Sequence, residues 1–109
     1  MAYLPLYKIE GITGNTTYVI PKGYFIRHIV IYNTTANAIT GGLKIGTTNG
    51  GIEVLNALTV GANLLSTIAD ATVLQKVFSM SADQTLYIQA VVAWNSASIN
   101  IYFDLCKLL

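Results

Sequence analysis

Two runs of alternating residues toward the end of the chain constrain its fold more than any other feature. Apolar side chains occupy every second position over residues 86–92 and again over residues 99–105. This period of two is typical of β-strands that turn one face toward a core. Only a short segment, residues 93–98, separates the two runs. The pattern therefore predicts a β-hairpin in which the two arms pair with each other.

The rest of the chain divides into further short stretches of β-forming residues with turn residues between them. We predict strands over residues 3–11, Thr16–Ile20, Tyr24–Asn33, 38–46, 52–56 and 63–67. Residues 1–11 form either an extended arm or an edge strand, since Pro5 cannot donate a ladder hydrogen bond. Asp70 is in position to cap a short helix over residues 71–78. Together these elements predict one domain over residues 1–109, an all-β, jelly-roll-like antiparallel sandwich with one short helix near 70–78.

The predicted strand Tyr24–Asn33 is apolar on both faces. Strict alternation divides it into one face with Phe25, Arg27, Ile29 and Ile31 and a second face with Ile26, His28, Val30 and Tyr32. A strand with two apolar faces is central in its sheet or is covered by a neighbour. We predict that one face lies in the protomer core and the other against a second subunit.

Two glycine-containing segments predict specific local geometry. Residues 20–23 carry proline at the second position and glycine at the fourth, which fits a type I turn. The pair Gly41–Gly42 interrupts a stretch of β-forming residues, so it predicts a bulge or a close approach of another backbone segment.

Charged residues are scarce, so the surface of the folded chain has few charges. Six basic and five acidic residues make up 10% of the chain, where about 25% is typical of soluble domains. Mean hydropathy is +0.55. A surface of this kind tends to be covered by another protein, so we predict self-association. The candidate interface residues, on the nominally outward side of their strands, are Val30, Tyr32, Tyr87 and Tyr102.

The charge pattern and the lack of long apolar runs argue against several partners. The net charge is +1 and the basic residues are scattered, so we expect no contact with nucleic acid. No apolar run approaches the roughly 20 residues of a membrane-spanning helix, and no secretory signal is recognisable. The single cysteine, Cys106, cannot form an intrachain disulfide. We therefore expect synthesis in the cytoplasm and no membrane partner.

The residue types that carry chemistry form no recognisable site. Residues 46–51 match the start of a P-loop, but Ile52 and Glu53 replace its lysine and hydroxyl residue, so we predict a hairpin turn. His28 is the only histidine, and the five carboxylates are spread along the chain. We predict no catalytic residue, no metal site and no cofactor, in preference to a small hydrolase that would use Cys106 or His28.

Trp94 is the one residue that suggests a ligand. A tryptophan in a loop with Asn95 and Ser96 could stack on a sugar ring while its neighbours form hydrogen bonds. The alternative, which we favour, is that Trp94 anchors its loop in the core or in a subunit contact.

Three sequence elements resemble a known family: GNTTY followed by IPKGY, the segment NTTANAITGGLKIGTTNGG, and AWNSASINIY. They are similar to small phage and prophage virion proteins that serve as head-fibre, capsid-decoration or tail-associated modules, many in phages of Bacteroidetes hosts. The resemblance covers nearly the whole chain and implies a β-sandwich that assembles, typically as a trimer, on the outside of a virion. It assigns no functional residue.

The resemblance and the composition together predict a function. We expect a non-enzymatic virion protein, made in the host cytoplasm, that forms a homotrimer and attaches to capsid or tail proteins as a decoration or fibre-anchoring module. At 109 residues, a stand-alone decoration or attachment piece is expected rather than a long fibre. The alternative is a carbohydrate-binding adhesin domain that recognises a host surface glycan.

Overall fold

The computed structural model describes residues 7–108 and folds them into eight strands and one short helical segment. The strands are β1 Tyr7–Ile12, β2 Thr16–Ile20, β3 Tyr24–Asn33, β4 Leu43–Gly46, β5 Leu55–Leu58, β6 Leu65–Ile68, β7 Gln84–Ala90 and β8 Ile99–Lys107. They form two four-stranded antiparallel sheets, which confirms the predicted all-β sandwich. β1 is an edge strand, and the rest of the segment predicted as an extended arm or edge strand, residues 1–6, lies outside the described residues.

The strand order is that of a jelly roll. Sheet A has the order β1-β8-β3-β6, and sheet B has the order β2-β7-β4-β5. The first half of the chain therefore pairs with the second half in the nested pairs β1–β8, β2–β7, β3–β6 and β4–β5. Only β4 and β5 are consecutive strands of one sheet; the other connections cross between the sheets. The loops that follow β1, β3, β5 and β7 consequently gather at one end of the sandwich.

The predicted hairpin near the end of the chain is wrong. Both alternating runs are strands, but β7 pairs with β2 and β4 in sheet B, whereas β8 pairs with β1 and β3 in sheet A. A period of two reports that one face of each strand is buried. The period contains no information about which strand pairs with which. Because both sheets face the same core, strands of either sheet show the same alternation. Residues 91–98 cross from one sheet to the other.

The core lies between the two sheets and consists of alternate residues of the strands. Leu86 and Ile88 of β7 are fully buried, as are Ile101 and Phe103 of β8. Tyr18 of β2 stacks on Phe103 with ring centroids 4.6 Å apart and planes 4° from parallel, which links sheet B to sheet A. An aromatic pair of this kind contributes about 0.5–1.5 kcal/mol beyond the burial of its area.

A β-bulge in β3 changes which side chains face the core. The β3–β8 register pairs Ile26 and His28 with consecutive residues of β8, so Arg27 is an extra residue with no counterpart. The alternation shifts by one at this point. The face predicted for the start of the strand is therefore wrong: Ile26 joins Ile29 in the core, and Phe25 lies on the outward side.

The turn between β2 and β3 lies one residue later than predicted. The N–H of Tyr24 donates to the carbonyl of Pro21 at 3.2 Å, and Gly23 has a φ of +80°. Glycine at the third position with a positive φ defines a type II turn rather than the predicted type I turn.

The close backbone approach predicted at Gly41–Gly42 is confirmed. The two φ angles are +80° and +91°, and a Cβ atom on Gly42 would lie 2.7 Å from the carbonyl oxygen of Leu58. Residues with these φ angles cannot continue a strand. β4 therefore begins at Leu43 rather than at residue 38.

The helical segment is α1, Ala71–Leu74, continued by a 3-10 turn over Gln75–Val77. Leu74 and Val77 are each 1% exposed and belong to the core. The carboxylate of Asp70 accepts the backbone N–H of Thr72 at 2.9 Å, which confirms the predicted N-cap. No helix in the described part of the chain is long and apolar enough to cross a membrane.

The cap gives a direct stability prediction. Asp70→Ala removes the acceptor for the Thr72 N–H and should lower the free energy of unfolding by about 0.5–2 kcal/mol. Asp70→Asn, which keeps an oxygen at the same position, should restore most of the loss. Urea or thermal unfolding of the three proteins provides the measurement, and an Asp70→Ala variant as stable as the parent would contradict the role of the cap.

Candidate interaction surface

Three of the four predicted interface residues lie side by side on the outward side of sheet A. Val30 of β3 is opposite Tyr102 of β8, and Tyr32 is one pleat away on the same side of β3. On the other strand next to β3, Leu65 of β6 is opposite Tyr32 and shares its outward face. We call these four residues, Val30, Tyr32, Leu65 and Tyr102, the sheet A patch. Leu65 was not predicted because its position depends on the β3–β6 register.

The fourth predicted interface residue lies elsewhere. Tyr87 is on β7, opposite Thr17 of β2 and Gly46 of β4, and therefore points outward from sheet B. Sequence alternation separates outward from inward residues but does not separate one sheet from the other. The structure thus brings three of the four residues together and leaves Tyr87 on the opposite face of the sandwich.

The sheet A patch is unusually apolar for an outward face. Leu65 is 58% exposed and Tyr32 37%, and the adjoining Leu64 is 46% exposed. Val30 and Tyr102 are half-buried, and the Tyr102 hydroxyl accepts a hydrogen bond from the Asn100 side chain at 3.2 Å. Exposed aromatic and aliphatic area with a few polar atoms is the composition of interface cores.

A cluster of charged groups borders the patch on the same face. Arg27 Nη2 lies 3.0 Å from Asp104 Oδ1, and His28 Nδ1 lies 3.6 Å from Asp104 Oδ2. Asp104 is distant from His28 along the chain. The β3–β8 register brings the two residues together. An exposed Arg–Asp ion pair with a neighbouring imidazole, beside an apolar centre, resembles the polar rim of an interface.

Trp94 is held within the fold. Its Nε1–H donates to Asn15 Oδ1 at 2.8 Å, and the same oxygen accepts the backbone N–H of Ala90 at 3.0 Å. The indole is partly buried and packs against the core. Asn95 and Ser96 form the centre of a tight turn with φ angles of 53° and 61°, and both are exposed.

Four loops gather at the Trp94 end of the sandwich, and none of them contains a charged residue. They are residues 13–15, 34–42, 59–64 and 91–98. Hydrogen bonds join them, for example from the N–H of Thr34 to the Ser98 carbonyl at 3.0 Å and from the N–H of Asn63 to the Thr35 carbonyl at 2.9 Å. This end therefore presents ordered amide and hydroxyl groups.

The segment that resembles a P-loop is the turn between β4 and β5, as predicted. Glu53 Oε1 accepts the N–H of Thr47 at 2.9 Å, and Oε2 accepts the hydroxyl of Thr48 at 3.2 Å. These bonds favour the ionised carboxylate, so hydrogen bonding from the N–H groups of Glu53 and Thr47 lowers the pKa of Glu53. The carboxylate thus organises the turn.

This shift predicts a pH dependence of stability. Because the pKa of Glu53 is lower in the folded state, its contribution is complete above the unfolded value of about 4.3 and is lost as the pH falls through the folded pKa. Glu53→Gln should therefore destabilise the fold at neutral pH and flatten the decline in melting temperature below pH 5. A variant whose acid profile runs parallel to that of the parent would contradict this role.

The described surface has no cavity and no group of three or more His, Cys, Asp or Glu residues that could hold a metal ion. Cys106 lies opposite Phe25 at the far end of β8 from the patch. The most distinctive surface among the described residues is the sheet A patch. Comparison with protein-family models, with curated proteins and with solved structures found no match.

Proposed function

We propose that this chain is a non-enzymatic structural protein of a phage virion, a homotrimer that attaches to capsid or tail proteins as a decoration or fibre-anchoring module. The observation that carries the proposal is the sheet A patch, an exposed apolar and tyrosine-bearing face on a chain with few charges. Jelly rolls occur in viral capsid proteins, which is an analogy of fold. The virion location and the threefold symmetry rest on the sequence resemblance.

Burial of apolar area is the main force that drives association between subunits. Permanent interfaces commonly bury about 2,000 Å² or more in total, and the accessible surface of one chain is 5640 Å². At about 25 cal/mol per Å² of apolar area, such burial exceeds typical costs of association. The patch supplies the apolar centre, and the Arg27–Asp104–His28 cluster supplies the rim.

The virion location is tested on particles produced by the genome that encodes the chain. Peptide mass spectrometry of purified particles should detect the chain at a fixed copy number, and electron microscopy should reveal density on the capsid or tail that disappears when the gene is deleted. Complete particles that never contain the chain would overturn the proposal, whatever its oligomeric state.

The alternative function, a carbohydrate-binding adhesin, draws on the uncharged loop end with its exposed Asn95 and Ser96. Jelly rolls also occur in lectins. Against it, the Trp94 N–H is already bonded to Asn15 and the indole is partly buried, so less of the ring is available to stack on a sugar. A glycan array with the parent and an Asn95→Ala variant tests it: binding that the variant loses would favour the adhesin, and no binding would remove it.

A further inference from the structure

The free edge of β6 presents backbone groups that point away from the protein. β6 is the outer strand of sheet A and pairs with β3 alone. The N–H of Asn33 donates to the carbonyl of Leu64 at 3.1 Å, which identifies these two as a hydrogen-bonded pair of the β3–β6 ladder. Bonded and non-bonded pairs alternate in an antiparallel ladder. The N–H and C=O groups of Leu65 and Thr67 therefore point outward in the plane of the sheet.

Nothing in the described part of the chain covers this edge. Within residues 7–108, no hydrogen bond outside the ladders involves the backbone of Leu65 or Thr67. Both side chains are exposed, Leu65 by 58%. Tyr32 and Leu64, both exposed, adjoin them, so unused backbone groups and exposed apolar area occur at the same place.

The other sheet edges differ from β6. β1 carries Lys8 and Glu10, and β5 has an irregular register and a positive φ of 56° at Ala57. Charges and bulges of this kind prevent strands of two molecules from pairing edge to edge. β6 has no charge, no proline and a regular register with β3. β2 is also uncharged, but its exposed Val19 lies opposite Thr85, whereas Leu65 of β6 adjoins the exposed Leu64 and lies opposite the exposed Tyr32.

We propose that β6 pairs with β6 of a second copy, antiparallel about a twofold axis, and so joins two A sheets into one of eight strands. The partner is the same chain because a neutral edge can meet itself without repulsion and because its bonding pattern is self-complementary. Leu65 faces Thr67 of the second copy, Thr67 faces Leu65, and Ser66 lies opposite its own counterpart. Leu65 is then covered on its open side.

The edge contact goes beyond the proposed trimer and does not compete with it. Edge pairing acts in the plane of sheet A, whereas the sheet A patch makes contact perpendicular to that plane. A four-residue strand buries less than the roughly 1,200 Å² of a stable interface, so the contact is weak in solution. It becomes significant at high protein concentration, such as the local concentration on a particle surface, and joins assemblies that form through the patch.

Light scattering between low micromolar and submillimolar concentration tests the edge contact. The mass of the parent should at least double over this range. Thr67→Pro removes an outward N–H, and Thr67→Lys places a charge on the edge at a residue outside the sheet A patch, so both variants should keep the low-concentration mass. The Val19→Lys protein, which has the same kind of change on the edge strand β2, should still show the increase in mass. Doubling that persists in both β6 variants, or no doubling in the parent, would overturn the proposal.

A cross-link tests the register without relying on weak affinity. In a Cys106→Ser background, Ser66→Cys places two thiols on the twofold axis, where Cα atoms of a non-bonded antiparallel pair lie about 4.5 Å apart. This separation is within the disulfide range of about 4.4–6.8 Å. Oxidation at high concentration should give a covalent dimer, and Thr17→Cys in the same background should not. A Ser66→Cys protein that stays uncross-linked would overturn the pairing.

The outcomes separate this inference from the proposed function. A trimer whose mass is constant at all concentrations would overturn the edge contact and leave the proposed function intact. A monomer that doubles to a dimer and cross-links through Ser66→Cys would support the edge contact and overturn the trimer.

Discussion

Ile29→Asp should abolish folding, whereas Val30→Asp should leave a folded chain that no longer assembles. The two residues are neighbours on β3 but point in opposite directions. Ile29 is 0% exposed and lies between Phe103 and Ile68 in the core. An unpaired carboxylate there would cost several kcal/mol, a large share of the roughly 5–15 kcal/mol that stabilises a domain. Val30 lies in the sheet A patch. A charge there is hydrated in the monomer, but in the assembly it would be placed against a second subunit.

Circular dichroism and light scattering on both variants make the comparison. Ile29→Asp should show no cooperative melt. Val30→Asp should keep a cooperative melt, lower than that of the parent by the stability that the subunit contacts add, and should have about one third of its mass. Val19→Asp, on the outward side of sheet B, is the matched control and should retain full assembly. A Val30→Asp protein of unchanged mass would exclude the patch as the interface.

Gly42→Ala should destabilise the fold through both its backbone conformation and a clash with main-chain atoms. Its φ of +91° already disfavours any side chain, and an added Cβ would lie 2.7 Å from the Leu58 carbonyl oxygen and 2.9 Å from Ala57 backbone atoms. These are main-chain atoms of the neighbouring strand β5, so the clash cannot be relieved by a side-chain rotation. We expect the β4–β5 pairing to loosen and the free energy of unfolding to fall by more than about 3 kcal/mol.

Gly50→Ala separates strain from steric contact. Gly50 has a φ of +80°, but within the described part of the chain no atom beyond its two chain neighbours lies within 4 Å of the position that an added Cβ would occupy. The variant should therefore lose only the cost of the left-handed conformation, about 1–2 kcal/mol. Equal losses of unfolding free energy for the two variants, measured by urea unfolding, would mean that the steric contact at Gly42 does not contribute to the loss.

Each sequence pattern predicts only the structural feature that it encodes. Alternation identified β7 and β8 because one face of each is buried, and the turn residues between strands indicated the sandwich. The bonding partner of a strand is set by the whole topology, so the alternating runs predicted a hairpin that does not form. A single extra residue, Arg27, also reversed the faces predicted for the start of β3.

The candidate surface was predicted in part for the same reasons. Outward positions on β3 and β8 are visible in the alternation, so Val30, Tyr32 and Tyr102 were found. Tyr87 has the same pattern but lies on the other sheet, and Leu65 joins the patch only through the β3–β6 register. The pairing of His28 with Asp104 likewise depends on a register that no local pattern encodes.

The oligomeric mass at low micromolar concentration tests the central claim of self-association most directly. Size-exclusion chromatography with light scattering should give about 35 kDa, three times the 11.7 kDa of one chain. A stable dimer would contradict the threefold symmetry and leave self-association in place. A mass of 11.7 kDa under these conditions would contradict the proposed assembly through the sheet A patch.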